Sequence, residues 1–277
     1  MKKIEHMNRI KEMEKEPYVQ IPSKLISEVT RAVRVNDSES YAHYAFSFLV
    51  LNSFLYKYAN YIDISNKSYI NMSDMKEILK YNARNQKLDI VTRKDTGILE
   101  QEGFVETTTD IPISYELTDN VDSIYKDREI IRASDMDDSF RSYLYSDILR
   151  TPNYCSYIPT FMIDSKKGKG TLNDYKGTFR LNYSEFEYFM FNDDFTLRDF
   201  FIYCYIKSST KKNRIAKITY DTYKRQTGIS KSTVRKIVGK LEDEEIISIS
   251  SSGNSSYRSK NPNVYSIRKD FDYCTDI

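Results

Sequence analysis

Apolar positions in the last quarter of the chain follow a helical period and then a strand-like one. Val234, Ile237, Val238 and Leu241 recur at spacings of three and four, which predicts one buried stripe on a helix over residues 231–244. Ser230 supplies an N-cap hydroxyl for its first turn, and Gly228 can take the positive φ that a tight link between helices needs. Upstream, 197–208 (LRDFFIYCYIKS) reads as a helix, 216–219 as a short strand and 220–226 as a second helix. Downstream, 246–250 and 264–267 are β-like and flank the polar, basic loop 251–263.

A fainter copy of this order spans residues 40–117. It starts with a strongly apolar helix, 40–59, followed by a β-like stretch at 68–70 and a helix over 74–80 capped by Ser73. A long helix is expected to begin between Arg84 and Lys87, run to Glu102 and stop at Gly103, a C′ glycine. Residues 104–107 and 113–117 then pair as a hairpin around 108–112. LEQEGFVETTT answers LEDEEIISISS in the second copy, a register that sets Arg93 and Lys94 against Arg235 and Lys236, and Gly97 against Gly239. PYVQIP and GTFRLN are comparable lead-in segments.

The expected fold class is mainly α with small β-hairpins (α+β). The expected organisation is a polar N-terminal arm over 1–17, a first domain over 18–117, a connecting region over 118–176 and a second domain over 177–277. The arm is read as a short polar helix or a flexible segment. The connecting region carries acidic clusters (Asp119, Asp122; Asp135, Asp137, Asp138) and an exposed loop, 165–170. The glycines and lysines of that loop lack Walker spacing and read as a basic hairpin tip.

Composition narrows the chemistry. No apolar run reaches the length of a membrane span, and the N-terminus has no signal-peptide core. Cys155, Cys204 and Cys274 are odd in number and widely spaced, which suggests a reducing cytoplasm. His6 and His43 are the two histidines, too few for a zinc site, and no cofactor motif is present. Carboxylate doublets such as Asp193-Asp194 and Asp137-Asp138 read as helix starts or solvated groups, so no enzyme is expected. The 24 tyrosines are too dispersed for a single-strand stacking platform.

Charge is the informative quantity. The whole chain has a formal net charge of +2, yet residues 211–240 hold ten Lys or Arg and one acid, Asp221. Such a concentration fits a phosphate partner. Cations near the start of the 231–244 helix oppose the helix dipole, so helix stability does not account for them. The candidate contacts are Ser230, Lys231, Ser232, Thr233, Arg235, Lys236 and Lys240, with Tyr257, Arg258 and Lys260 in the following loop. In the first copy, Asn82, Arg84, Asn85 and Lys87 offer either a second surface of this kind or part of a dimerisation module.

This order of elements resembles the winged helix-turn-helix. The segment ITYDTYKRQTGISKSTVRKIVGKLEDEEII is similar to bacterial transcription regulators and to replication proteins of low-GC Gram-positive elements. The tandem arrangement resembles initiators of plasmids and phages. The resemblance implies base reading in the major groove by residues 230–236 and a wing at 257–263. The expected partner is double-stranded DNA, with a homodimer possible and no membrane. The leading expectation is a transcriptional regulator. A replication initiator and a winged-helix protein-interaction scaffold are the alternatives.

Overall fold

The computed structural model describes residues 2–35, 41–63, 66–116, 128–148, 154–163, 177–210, 215–251 and 262–268. In chain order its elements are α1 (Lys2–Met13), β1 (Tyr18–Pro22), α2 (Leu25–Val35), α3 (Ala42–Lys57), β2 (Ile62–Asp63), β3 (Ser68–Tyr69), α4 (Met72–Ile78), α5 (Asp89–Thr92) and α6 (Ile98–Gln101). Then come β4 (Val105–Thr108), β5 (Pro112–Glu116), β6 (Arg128–Arg132), α7 (Asp138–Tyr143), β7 (Ser156–Pro159), β8 (Thr178–Asn182) and α8 (Tyr183–Phe191). The last group is α9 (Leu197–Ser209), β9 (Ile215–Ile218), α10 (Tyr220–Thr227), α11 (Lys231–Asp243), β10 (Ile247–Ser251) and β11 (Asn263–Ile267). The protein is α+β, with helices and small antiparallel sheets. Among the described residues no helix is long and apolar enough to cross a membrane.

Two compact units divide the chain, and neither is continuous. One comprises Met1–Val19 and Phe48–Tyr175, the other Gln20–Ser47 and Lys176–Ile277. The division falls one residue from the expected boundary at 177, has no break at 118, and adds one between 47 and 48. Residues 20–47 group with the C-terminal part, and most of the expected connecting region groups with the first unit.

In the first unit the expected polar arm is α1. Met7 and Ile10 are fully buried, and His6 and Asn60 exchange hydrogen bonds, His6 Nε2 with the Asn60 carbonyl at 2.8 Å and Asn60 Nδ2 with the His6 carbonyl at 3.0 Å. Phe48 of α3 packs edge-on against Tyr157, with ring centres 5.2 Å apart. The Tyr61 hydroxyl donates to the Tyr157 carbonyl at 2.7 Å, so β7 belongs to this core.

Two expectations for this unit are corrected. The long helix to Glu102 is broken into a 3-10 turn (Gln86–Leu88), α5 and α6. Arg93 is extended, Asp95 sits at φ 65°, and Gly97 turns so closely that a Cβ there would lie 2.7 Å from the Arg93 backbone nitrogen and oxygen. The predicted hairpin is also absent. β4 pairs with β7, Thr108 facing Ser156, and β5 pairs with β6, Pro112 facing Arg132. The reason lies in the connecting turn. Asp110 accepts hydrogen bonds from the Ser134 amide at 3.0 Å and the Ser134 hydroxyl at 2.6 Å, which commits the chain after the turn to β6.

In the second unit β1 pairs with β8, so the two lead-in segments form one small sheet. An aromatic core follows, with Phe189 within 5.0–5.5 Å, ring centre to ring centre, of Phe195, Phe200 and Tyr203. Phe46 meets Phe201 at 5.5 Å. The buried Glu185 receives Tyr203 and Lys207, which satisfy its charge away from water. Beyond this core, β9, β11 and β10 form a three-stranded antiparallel sheet with β11 in the centre, Tyr265 facing Ala216 on one side and Ile249 on the other.

Candidate nucleic-acid interface

α10, α11 and the link between them carry most of the described candidate residues. Thr219 caps α10 by accepting from the Thr222 amide at 3.1 Å. The helix ends at Gly228, whose φ of 74° turns the chain while its amide still reaches the Lys224 carbonyl at 3.1 Å. Ser230 then caps α11, accepting from the Thr233 amide at 3.2 Å. Val234, Ile237, Val238 and Leu241 are buried, as the stripe requires.

Beneath α10 lies a tyrosine cluster. Tyr223 packs against Tyr205 at 5.3 Å and Tyr265 at 5.9 Å. Burial pushes the Tyr265 phenol up to about 12 and the Tyr223 phenol well above its ordinary value, so both rings stay neutral. Tyr220 reaches outward, and the Arg235 guanidinium lies over its ring at 5.0 Å. That stacking holds a charged fork in place without neutralising it.

The seven candidates of α11 and its cap separate by what they touch. Ser230 and Thr233 are engaged in the cap, their hydroxyls 2.8 Å apart. Lys231 pairs with Asp221 of α10 at 2.5 Å. Ser232, Arg235 and Lys236 are exposed and lie at i, i+3 and i+4, so they share one face. Lys240 is drawn the other way. Its ammonium donates to the Asp194 carbonyl, sits 3.4 Å from the buried Asp199 carboxylate and lies 4.4 Å from the Phe195 ring centre. Lys240 therefore ties α11 to the start of α9. Tyr257, Arg258 and Lys260, with most of the expected wing, lie outside the described residues, as do Lys211, Lys212 and Arg214.

In the first unit, Asn82 and Asn85 are engaged locally, accepting from the Arg84 amide at 2.8 Å and the Lys87 amide at 3.1 Å. Arg84 and Lys87 are exposed on the turn that follows α4. With the helix behind them broken, these four side chains share no continuous helical face.

Comparison with protein-family models, curated proteins and solved structures finds no match for this chain.

Arg34 of α2 is a residue that the sequence reading missed. Its guanidinium donates to the carbonyls of Lys224 at 3.1 Å and Arg225 at 3.2 Å. A cation at a helix C-terminus satisfies carbonyls that have no intrahelical partner and complements the dipole. The separation of about 190 residues hid the contact. No group of three or more His, Cys, Asp or Glu able to hold a metal occurs among the described residues. Asp137 caps α7, accepting from the Phe140 amide at 2.9 Å. Burial raises the Cys204 thiol well above its ordinary range, a poor setting for a nucleophile.

Proposed function

We propose that this protein binds double-stranded DNA sequence-specifically and acts as a transcriptional regulator. The observation that carries the reading is the face formed by Ser232, Arg235 and Lys236 at the start of a capped, one-side-buried helix. The surrounding order supports it. Helix, strand, helix, turn, helix and two strands, with the sheet ordered β10-β11-β9, is the arrangement expected of a winged helix-turn-helix. In that motif the N-terminal part of the last helix enters the major groove. Arginine can pair two donors with guanine there, and serine can contact several bases. The exposed Lys217, Lys224 and Arg225 supply positive charge for phosphates.

Selection of bound fragments from genomic DNA at two salt concentrations tests this. The expected result is a short recurrent motif whose affinity falls steeply with salt. No enrichment at either concentration would end the DNA reading. Recovery at promoters supports regulation, whereas recovery as origin repeats would replace that role with replication initiation.

A further inference from the structure

α2 has two faces of different character. Leu25, Ile26, Val29, Ala32 and Val33 are buried. Lys24, immediately before the helix, and Arg31 and Arg34 within it follow one another along the other side at spacings of seven and three. Where α2 meets α10 within the second unit, an open cleft of about 540 Å³ is lined by Lys24, Glu28, Arg31, Arg34 and Arg225, four cations and one acid. Lys24, Arg31 and Arg225 are exposed and form no ion pair among the described residues. Such an excess of like charge raises the local potential unless an anion joins it.

The position of the cleft identifies the anion. A Cβ on Gly228 would lie 3.1 Å from Arg34 Nη2, and Gly228 precedes the α11 cap, Ser230, by two residues. Two residues span at most about 7 Å and the Cα–Cβ bond adds about 1.5 Å, so the guanidinium is within roughly 12 Å of the start of α11. Duplex DNA carries one negative charge per about 1.7 Å of axis, so several phosphates fall within that distance of any base that α11 reads. Arginine forks match phosphate oxygens in pairs.

We propose that this cleft is a backbone-phosphate site, through which α2 clamps the same DNA strand region that α11 reads. The inference rests on the DNA-binding reading and deepens it. Lys24, Arg31 and Arg225 contact phosphate, and Arg34 fixes α10 and its turn in place. The site positions the duplex and carries no base preference.

The test uses the full chain, the recovered duplex motif and a random duplex of equal length. Lys24→Ala/Arg31→Ala removes two exposed charges, with thermal melting as the check that the fold is kept. The expected result is an equal loss of affinity, about tenfold, on both duplexes, and a salt dependence shallower by about two in log–log slope. Unchanged affinity and slope, alongside a loss for Arg235→Ala, would overturn the cleft and leave the DNA reading intact. Loss on the motif alone would also overturn it, since a phosphate contact is blind to sequence. Absence of duplex binding by the unaltered protein would overturn both.

Discussion

Gly103 and Glu245 hold the same left-handed position after two different helices, at φ 71° and 58°. In each case the next amide closes the helix onto a buried leucine, Phe104 to the Leu99 carbonyl at 2.8 Å and Ile246 to the Leu241 carbonyl at 2.9 Å. Each turn then enters a strand, β4 or β10. The two helix ends therefore close with the same backbone geometry. A Cβ on Gly103 would meet nothing within 4 Å, so Gly103→Ala should cost only the conformational penalty, about 1 kcal/mol by denaturant melting.

Gly97 and Gly239 face each other in the same alignment, yet opposite effects are expected. A Cβ on Gly97 would press on backbone at 2.7–2.8 Å, whereas one on Gly239 meets nothing within 4 Å. Gly97→Ala should destabilise by roughly 2 kcal/mol or more. Gly239→Ala should stabilise by about 0.5–1 kcal/mol, because alanine favours a helix interior. Equal shifts in melting temperature for the two variants would contradict this account.

Lys236 and Lys240 lie one turn apart on α11 and should separate cleanly. Lys240→Ala leaves the buried Asp199 without its cation and should cost about 1–2 kcal/mol of stability. Lys236→Ala should leave the melting temperature within half a degree or so, while affinity for any duplex falls. A paired thermal and binding titration decides it. Loss of stability in Lys236→Ala would place that side chain in the scaffold.

Arg235→Ala should weaken binding to the recovered motif by roughly 5- to 150-fold, the worth of one bidentate base contact, with a smaller loss on random DNA. Arg235→Lys keeps the charge but not the fork or its stacking on Tyr220, so it should retain random binding and lose preference. Identical losses on both duplexes would assign Arg235 to the phosphate backbone.

Acid should weaken the fold. Burial, with Arg198 nearby, lowers the His43 imidazole to about 4 from 6.5, and burial also lowers His6. The unfolded chain takes up these protons first. Stability is therefore full above about pH 6.5 and is lost as pH falls toward 4. His43 alone should cost roughly 2 kcal/mol by pH 5. Urea titrations at pH 7 and 5 check this, and His43→Gln should shrink the difference between them.

Elements from 197 onward lie within a residue or two of their sequence expectation because their determinants are local. An apolar stripe, a capping Ser230 and a left-handed Gly228 each act over a few residues. What escaped was long-range or steric. Thr108 meets Ser156, and Arg34 meets Lys224, through contacts that no periodicity records. The break before α6 depends on how closely Gly97 approaches Arg93. Lys236 and Lys240 look alike in sequence, and contacts with Asp194, Phe195 and the buried Asp199 set Lys240 apart.

The interleaved chain path has a consequence for synthesis. Gln20–Ser47 leave the ribosome roughly 130 residues ahead of Lys176–Ile277, a wait on the order of ten seconds at ordinary elongation rates. Throughout it Phe46, at the start of α3, lacks its ring partners Phe200 and Phe201. The apolar face of α2 is then a natural client for a chaperone. A ribosome that stalls anywhere in the intervening stretch releases a chain whose second unit has no core to close.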